Sequence, residues 1–190
     1  MTCLLLDCDD SYTLNIYDYL KQCDLDVVVV NYKNISIENA AGYDSIVLSP
    51  GPNSPNEVPI LFEIIKNVAG RKPILGICLG HQALGMYYEH ELLPSKQPMH
   101  GISEKIYTTE NPIFHNIDTS NLMVMRYNSL AIGDKENSVL EVIARDKVGE
   151  IMAFKHKSYN IYSFQFHPES VGTPQGLQLF KNWKKQLITN

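Results

Sequence analysis

The sequence predicts an α/β fold: an open, mostly parallel sheet with helices on both faces, plus short antiparallel strands. The first observation is a regular alternation of short apolar runs and helical patterns from the N-terminus to Tyr88. Second, the apolar runs are nearly continuous, which is typical of strands buried on both faces of a parallel sheet. Third, from Leu92 onward the chain consists of shorter strand-like runs separated by turns, which indicates antiparallel strands at one edge of that sheet.

The segment up to residue 48 predicts a β-α-β-α-β order, with strands in the apolar runs at residues 3–6, 27–30 and 45–48. A further buried strand is expected at residues 74–77. Ser11 or Asp10 is expected to cap the first helix. The buried face of that helix is expected to comprise Leu14, Ile16, Tyr17 and Leu20. Further helices are expected at residues 37–41, 59–68 and 79–88. Crossovers in such a sheet are right-handed, and sites form at the carboxyl ends of its strands.

The second half predicts antiparallel strands, one more core strand and a final helix. The antiparallel strands are expected at residues 103–107, 122–125, 139–144 and 151–154. The core strand is expected at residues 161–166, directly before His167. Thr173 is expected to cap the last helix, with Pro174 as its first residue. The buried face of this helix is expected to comprise Leu177, Phe180, Trp183 and Leu187.

A tight turn around Cys78 is the most informative local feature. Cys78 lies between an apolar strand and a helical pattern, with Gly76 two residues before it and Gly80 two residues after. Small flanking residues allow the backbones to pass closely in a turn that exposes a nucleophile at the end of a strand. The start of a helix also favours a thiolate. A lone cysteine is more often a small buried thiol, but the two glycines favour a nucleophile.

The length and composition indicate what kind of protein this is and which partners are unsuited to it. The 190 residues have room for one domain, expected to span 1–190, and the 44% hydrophobic fraction is ordinary for a globular protein. Neither a membrane-length apolar run nor a secretion signal is visible. Four cysteines without a C-x-x-C pair favour a reducing, cytoplasmic location. A net charge of −5 argues against nucleic acid as a partner.

The residues around Cys78 indicate acyl transfer through a cysteine thioester. A nucleophilic thiolate needs a base, and His167 at the end of a strand is the best candidate, with Glu169 to orient its imidazole. The backbone N–H groups of Leu79 and of Gly51, in the proline-rich segment 49–55, are suited to form an oxyanion hole. A metal site is the other interpretation, with ligands drawn from Cys78, His81, His167 and Glu169. The nucleophile turn explains Cys78 better, and His81 is expected to have a packing or orienting role.

Four separated motifs carry a family resemblance: GICLGHQ at 76–82, SPGPNSP at 49–55, RYNSL at 126–130 and QFHPES at 165–170. Together they resemble the class I, triad-type glutamine amidotransferases, whose fold is flavodoxin-like. Three further segments, DCDDSYTLN at 7–15, MHG at 99–101 and GEIMA at 149–153, narrow the resemblance. They are similar to component II, the small subunit, of anthranilate synthase and of aminodeoxychorismate (para-aminobenzoate) synthase.

This resemblance implies hydrolysis of L-glutamine to glutamate and ammonia. By similarity, Cys78 attacks the side-chain amide, His167 transfers the proton, Glu169 orients His167, and Gly51 and Leu79 form the oxyanion hole. The positions that match glutamine-binding residues are Gly51, Pro52, Asn53, Gln82, Ser129 and Leu130. The ammonia would pass to a separate chorismate-binding subunit, component I, for anthranilate or aminodeoxychorismate synthesis. No cofactor is implied for this chain, whereas the partner subunit is expected to use Mg²⁺.

Three departures from the family pattern concern segments expected to face the partner. The chain has DCDDSYT where the family usually has DNYDSFT, so Cys8 and Asp9 are atypical. Ile102 replaces the lysine of the usual HGK, and Asn128 replaces the histidine of the usual RYHSL. Two alternative functions stand beside the leading one. The chain would otherwise be the glutaminase subunit of another amidotransferase, such as a GMP synthase, or a binding module that has lost the chemistry. The intact triad disfavours the second alternative.

Overall fold

The computed structural model describes residues 1–52 and 54–188. The helices are α1 Thr13–Gln22, α2 Ile37–Ala41, α3 Ile60–Val68, α4 Leu79–Tyr87 and α5 Gly176–Ile188. The first six strands are β1 Thr2–Asp7, β2 Asp26–Asn31, β3 Ser45–Leu48, β4 Ile74–Ile77, β5 Leu92–Pro94 and β6 Ile102–Lys105. The others are β7 Tyr107–Thr108, β8 Met123–Arg126, β9 Leu130–Ile132, β10 Leu140–Arg145, β11 Ile151–His156 and β12 Ile161–Phe164.

One eight-stranded sheet organises the molecule, in the order β2-β1-β3-β4-β12-β11-β10-β7. The strands from β2 to β12 are parallel to their neighbours, and β11, β10 and β7 add to the edge in antiparallel pairing. The mostly parallel sheet with antiparallel strands at one edge is therefore confirmed. In the centre, β4 lies between β3 and β12, so the carboxyl ends of these three strands meet.

Helices cover both faces of the sheet, because the central strands bury side chains on both sides. In β1, Leu5 points into a cluster with α1 and α5, whereas Leu4 and Leu6 point into a cluster with α2, α3 and α4. Since neighbouring side chains of a strand face opposite sides, each apolar run needs a helical layer above and below it. This explains why the strands are continuously apolar.

Two short antiparallel ribbons lie outside the large sheet. One pairs β5 with β9, and the other pairs β6 with β8. The second ribbon reaches the central strands, because the backbone N–H of His167 donates to the carbonyl of Met125 at 2.9 Å. Among the described residues, no helix is both long and apolar enough to cross a bilayer.

The structure corrects three details of the helices. The N-cap residue of α1 is Tyr12, without a side-chain hydrogen bond, so neither Ser11 nor Asp10 caps this helix. Leu14 is 67% exposed, and the buried residues of α1 are Thr13, Ile16 and Leu20. The final helix begins at Gly176 and not at Pro174, and Thr173 does not cap it. The Thr173 hydroxyl instead donates to the His167 carbonyl at 2.7 Å and accepts the Met125 N–H at 2.9 Å. Thr173 therefore fixes the backbone beside His167.

Candidate active site

Cys78 occupies a strained turn between β4 and α4. Its φ of 50° and ψ of −97° place a non-glycine residue in a region that L-amino acids rarely adopt. The turn is held by the Cys78 N–H, which donates to the Phe164 carbonyl at 2.8 Å, and by the Cys78 carbonyl, which accepts the Gln82 N–H at 3.0 Å. Cys78 is 8% exposed and lines a cavity.

The two glycines flanking Cys78 are required by close backbone approaches. A Cβ atom at Gly76 would lie 2.6 Å from the carbonyl oxygen of Gly80. A Cβ atom at Gly80 would lie 2.4 Å from the carbonyl oxygen of Leu48, at the end of the neighbouring strand β3. Both distances are shorter than van der Waals contact, so the turn cannot form with larger residues at these positions.

The two residues predicted to form an oxyanion hole lie in contact. A Cβ atom at Gly51 would be 2.5 Å from Cδ2 of Leu79, so the segment after β3 passes directly over the start of α4. Leu79 is the first residue of α4, where backbone N–H groups lack an intrahelical acceptor. The positive end of the α4 dipole therefore lies next to Cys78, the residue that precedes this helix.

A polar cavity of about 260 Å³ opens onto Cys78. The predicted site residues that line it are Gly51, Pro52, Cys78, Gln82, Ser129 and Leu130. Asn53 lies outside the described residues. A larger cavity of about 640 Å³ follows the segment from Thr108 to Thr119 and contains none of the predicted site residues. The smaller cavity is the one that combines a nucleophile with converging polar groups.

His167 and Glu169 form a buried pair near Cys78. The His167 Nδ1 donates to Oε1 of Glu169 at 2.6 Å, and the two side chains are 3% and 0% exposed. Burial by itself would lower the pKa of His167, but the Cys78 sulfur and the Glu169 carboxylate outweigh it and raise that pKa well above 6.5. Because Nδ1 is bonded to Glu169, Nε2 is the ring nitrogen left to exchange a proton with the Cys78 sulfur, which is close enough to raise the pKa of His167.

The match to a family model decides the classification. The model of the class-I glutamine amidotransferases matches residues 4–187 of the chain. The chain belongs to this family. The structural arrangement agrees with that assignment, since three of the four motifs contribute residues to the cavity in front of Cys78, and Gln165 of the fourth motif bonds to the Cys78 sulfur.

Relatives of this amidotransferase share about a third of its residues over nearly the whole length. The anthranilate synthase component 2 of Pseudomonas aeruginosa is 36% identical, over 96% of this chain and 94% of its own. The aminodeoxychorismate/anthranilate synthase component 2 of Bacillus subtilis is also 36% identical, over 97% of this chain and 98% of its own. A crystal structure from Thermoplasma acidophilum, described as that of a putative GMP synthase subunit, covers 100% of this chain and 94% of its own with a TM-score of 0.89. At 23% identity, that structure shows the shared fold alone.

His81 is buried inside the fold, where its ring contacts two side chains of the central sheet. Its Nδ1 lies 2.8 Å from the Ser163 hydroxyl, and its ring packs against Phe154. Complete burial lowers the pKa of His81 to about 3, so the ring is neutral. No group of three or more potential metal ligands from His, Cys, Asp and Glu occurs within the described ranges.

The amidotransferase site contains side chains that the sequence did not single out. Gln165 is fully buried and donates from Nε2 to the Cys78 sulfur at 3.8 Å. Tyr127 lines the cavity and packs edge-on against His167, with ring centroids 4.9 Å apart. Both residues belong to motifs recognised in the sequence, QFHPES and RYNSL, and that membership was the available signal. Their contacts with Cys78 and His167 depend on which strands lie side by side in the folded chain, which the motifs themselves do not show.

The atypical residues of the family pattern differ in their surroundings. Asp9 and Ile102 reach solvent, with Ile102 50% exposed at the start of β6. Cys8 and Asn128 are buried at 2% and 3% exposure. The Asn128 side chain bonds to Arg126 and to the Leu130 carbonyl. That the segments with these departures face the partner stays a prediction.

Proposed function

We propose that this amidotransferase hydrolyses L-glutamine, with Cys78 as the nucleophile. The thiolate attacks the side-chain amide carbon, and the carbonyl electrons move onto its oxygen. When the intermediate collapses, the C–N bond breaks and the imidazolium of His167 protonates the departing nitrogen, which leaves as ammonia. The neutral imidazole then takes a proton from water, whose oxygen attacks the thioester. Glutamate leaves, the sulfur departs as thiolate, and His167 is protonated again.

The observation that carries this proposal is the combination of the strained Cys78 turn with the buried His167–Glu169 pair. Glu169 accepts the Nδ1 proton of His167 at 2.6 Å, which supports an orienting role for the carboxylate. It also stabilises the charged imidazolium, which is consistent with the raised pKa of His167. The three side chains are therefore proposed as the catalytic triad.

Two further roles, substrate binding and stabilisation of the oxyanion, are proposed for the segments around Cys78. The backbone N–H groups of Gly51 and Leu79 would donate to the oxygen of the tetrahedral intermediate. Glutamine would be held by Gly51, Pro52, Asn53, Gln82, Ser129 and Leu130. The cavity of about 260 Å³ suits a single amino acid more than a larger substrate.

The product ammonia is proposed to pass to a separate chorismate-binding subunit in the cytoplasm. Support comes from relatives named as component 2 of anthranilate and aminodeoxychorismate synthases. The chain would act as one glutaminase domain without a cofactor of its own, and the chorismate-binding subunit would contain the Mg²⁺. The same names favour this pathway over GMP synthesis, for which the likeness rests on a fold at 23% identity.

The decisive experiment measures glutamine hydrolysis by the purified chain, alone and with each candidate chorismate-binding subunit in the presence of chorismate. Stimulation by one subunit, with the matching aromatic amine as product, identifies the pathway, and stimulation by both identifies a shared subunit. Stimulation only by the synthetase component of a GMP synthase would favour the alternative. Absence of hydrolysis in every mixture would favour a binding module without the chemistry.

Cys78→Ser provides the matched control for that experiment. The variant should lose glutamine-dependent synthesis of the aromatic amine but retain synthesis from added ammonia, because the partner subunit still receives its nitrogen. Loss of both activities would mean that Cys78 supports the structure of the complex and would argue against the proposed nucleophile.

A further inference from the structure

Gln165 lies beside the nucleophile because of the register of the central strands. In the parallel pair β4–β12, Phe164 is opposite Ile77, so the next residues along the two strands are Gln165 and Cys78. The backbone N–H of Gln165 donates to the Met152 carbonyl at 2.8 Å, which fixes the position from which its side chain extends. The residue is fully buried.

The side-chain amide of Gln165 donates to the Cys78 sulfur. The distance from Nε2 to Sγ is 3.8 Å, which is long for an oxygen acceptor but within reach of the larger sulfur atom. Catalytic hydrogen bonds are often long in the unliganded state and shorten when the charged form develops. Because the amide is neutral, it can stabilise a charged sulfur without giving up a proton.

The side-chain amide of Gln82 fixes the orientation of the Gln165 amide. Gln82 donates from Nε2 to Oε1 of Gln165 at 3.2 Å and also to the Leu130 carbonyl at 3.1 Å. These two bonds use both hydrogens of the Gln82 amide group. If the side-chain amide of Gln165 were rotated by 180°, its NH₂ group would face the NH₂ group of Gln82 and its oxygen would face the sulfur. The hydrogen bonds of Gln82 therefore determine that the NH₂ group of Gln165 faces Cys78.

The network extends to the fully buried side chain of Arg126. The Leu130 carbonyl also accepts from Nδ2 of Asn128 at 3.0 Å, and Oδ1 of Asn128 accepts from Nε of Arg126 at 3.0 Å. Gln82 is therefore attached to a loop that is itself held in place. A buried and connected set of amides has few alternative arrangements, so it is suited to keep a donor aimed at one atom.

We propose that Gln165 stabilises the thiolate of Cys78 through its side-chain N–H, and that Gln82 holds Gln165 in the required orientation. This deepens the proposed glutaminase function and rests on it for its catalytic meaning. Gln82 would then have two roles, because it lines the cavity and its NH₂ group also bonds to Gln165 and to the Leu130 carbonyl. Loss of the Gln165 donor should make the sulfur less reactive at a given pH.

The test is the rate at which iodoacetamide alkylates Cys78 in the full chain, followed by peptide mass spectrometry over a pH series from about 6 to 9. Iodoacetamide needs neither glutamine nor a synthase partner. The other cysteines interfere little, because burial raises the pKa of Cys3 to about 11 and that of Cys8 to about 12, and also raises the pKa of Cys23. Cys78→Ser gives the blank for the labelled peptide.

Two variants remove the donor in different ways. Gln165→Met keeps the length of the side chain without its N–H, and Gln165→Asn keeps an amide that is too short to reach the sulfur. Each is expected to lower the alkylation rate near neutral pH about tenfold, because a hydrogen bond to a charged group is lost. The same rate should then be reached only at a higher pH. Circular dichroism identifies any variant that fails to fold, and the other variant then provides the result.

Ser163→Ala is the matched control. Ser163 lies on the same strand, is fully buried and also makes a buried hydrogen bond, to His81, but it has no hydrogen bond to the sulfur. Its alkylation profile should match that of the wild type. A wild-type profile in the folded Gln165 variants would overturn this inference and leave the glutaminase proposal standing. An unreactive Cys78 in the wild type would overturn both.

Discussion

The hydroxyl of Tyr12 donates to the hydroxyl of Tyr127 at 3.0 Å, although the two residues are 115 positions apart. Both rings also pack against the His167 imidazole, with centroid distances of 5.6 Å for Tyr12 and 4.9 Å for Tyr127. The bond raises the pKa of Tyr12 to about 12. The segment after β1 and the segment after β8 are thus joined beside the imidazole.

Replacing Tyr12 by Phe should remove this bond without changing the ring packing. We expect Tyr12→Phe and Tyr127→Phe each to lower the free energy of unfolding by about 1 kcal/mol, the usual contribution of one hydrogen bond. The double variant should cost no more than either single one, because the same bond is lost. Denaturant unfolding measures all three, with Tyr107→Phe at a 55% exposed position as the control. Strictly additive effects would show that the two hydroxyls are not coupled.

His167 and Glu169 should both be essential for glutamine hydrolysis. His167→Ala is expected to lower the rate at least ~10²-fold, the usual scale for a general acid–base. Glu169→Gln should also lower it, because the carboxylate that orients Nδ1 and stabilises the imidazolium is lost. Ammonia-dependent synthesis by the partner complex should be unchanged in both variants. His115→Ala, at an exposed position, is the control, and a near-normal rate for His167→Ala would remove His167 from the mechanism.

The pKa of His167 should fall when the Cys78 sulfur is removed. In the wild type the imidazole signal should titrate well above 6.5, because Cys78 and Glu169 outweigh the effect of burial. In Cys78→Ala the midpoint should shift downward, as measured by NMR of labelled histidines. His81 is the internal control, since burial lowers its pKa to about 3 and its signal should not change near neutral pH.

The same raised pKa predicts how stability depends on pH. The folded pKa of His167 lies above the unfolded value, so the charged form contributes stability that is fully present below about 6.5. That contribution is lost as the pH rises through the folded pKa. The deficit of His167→Gln in free energy of unfolding should therefore shrink at alkaline pH. A deficit that grows with pH would mean that the imidazole is held neutral.

Arg126 should be important for stability because it is a buried cation among three carboxylates. Its guanidinium contacts Glu104 and Asp146 at 2.7 Å and Glu150 at 2.9 Å. Arg126→Met leaves these charges without their cation and should cost about 3–5 kcal/mol in denaturant unfolding. Arg145→Met is the matched control, because the Arg145–Asp134 pair is 37% and 71% exposed and should contribute less than about 1 kcal/mol. Equal losses would mean that the buried cluster is not stabilising.

The elements that the sequence predicted well are those with a strong local pattern. The strand Ser45–Leu48 and the helix Ile37–Ala41 have the predicted bounds, and α4 begins at Leu79 as expected. An apolar run buried on both faces, or a glycine pair around a turn, is encoded within a few neighbouring residues. These patterns were also enough to select Cys78 as the nucleophile candidate.

The predictions that failed depended on competition between partners. Thr173 has the sequence context of a helix cap, but its hydroxyl bonds to His167 and Met125 across the fold, and the helix begins three residues later. Leu14 fits the helical period of a buried face, yet the packing of α1 against the sheet leaves it exposed. In both cases a local preference was overridden by a contact that the local sequence does not contain.

The sequence by itself determined the class of fold, the family, the strained cysteine turn and the proposed triad, because each of these is carried by a short motif or a periodic pattern. Only the tertiary structure decided which side chains surround the sulfur and the imidazole. Gln165 reaches Cys78 across 87 residues, and Tyr12 meets Tyr127 across 115. Such contacts follow from strand order and register, which are set by the packing of the whole sheet and not by the residues beside them in the chain.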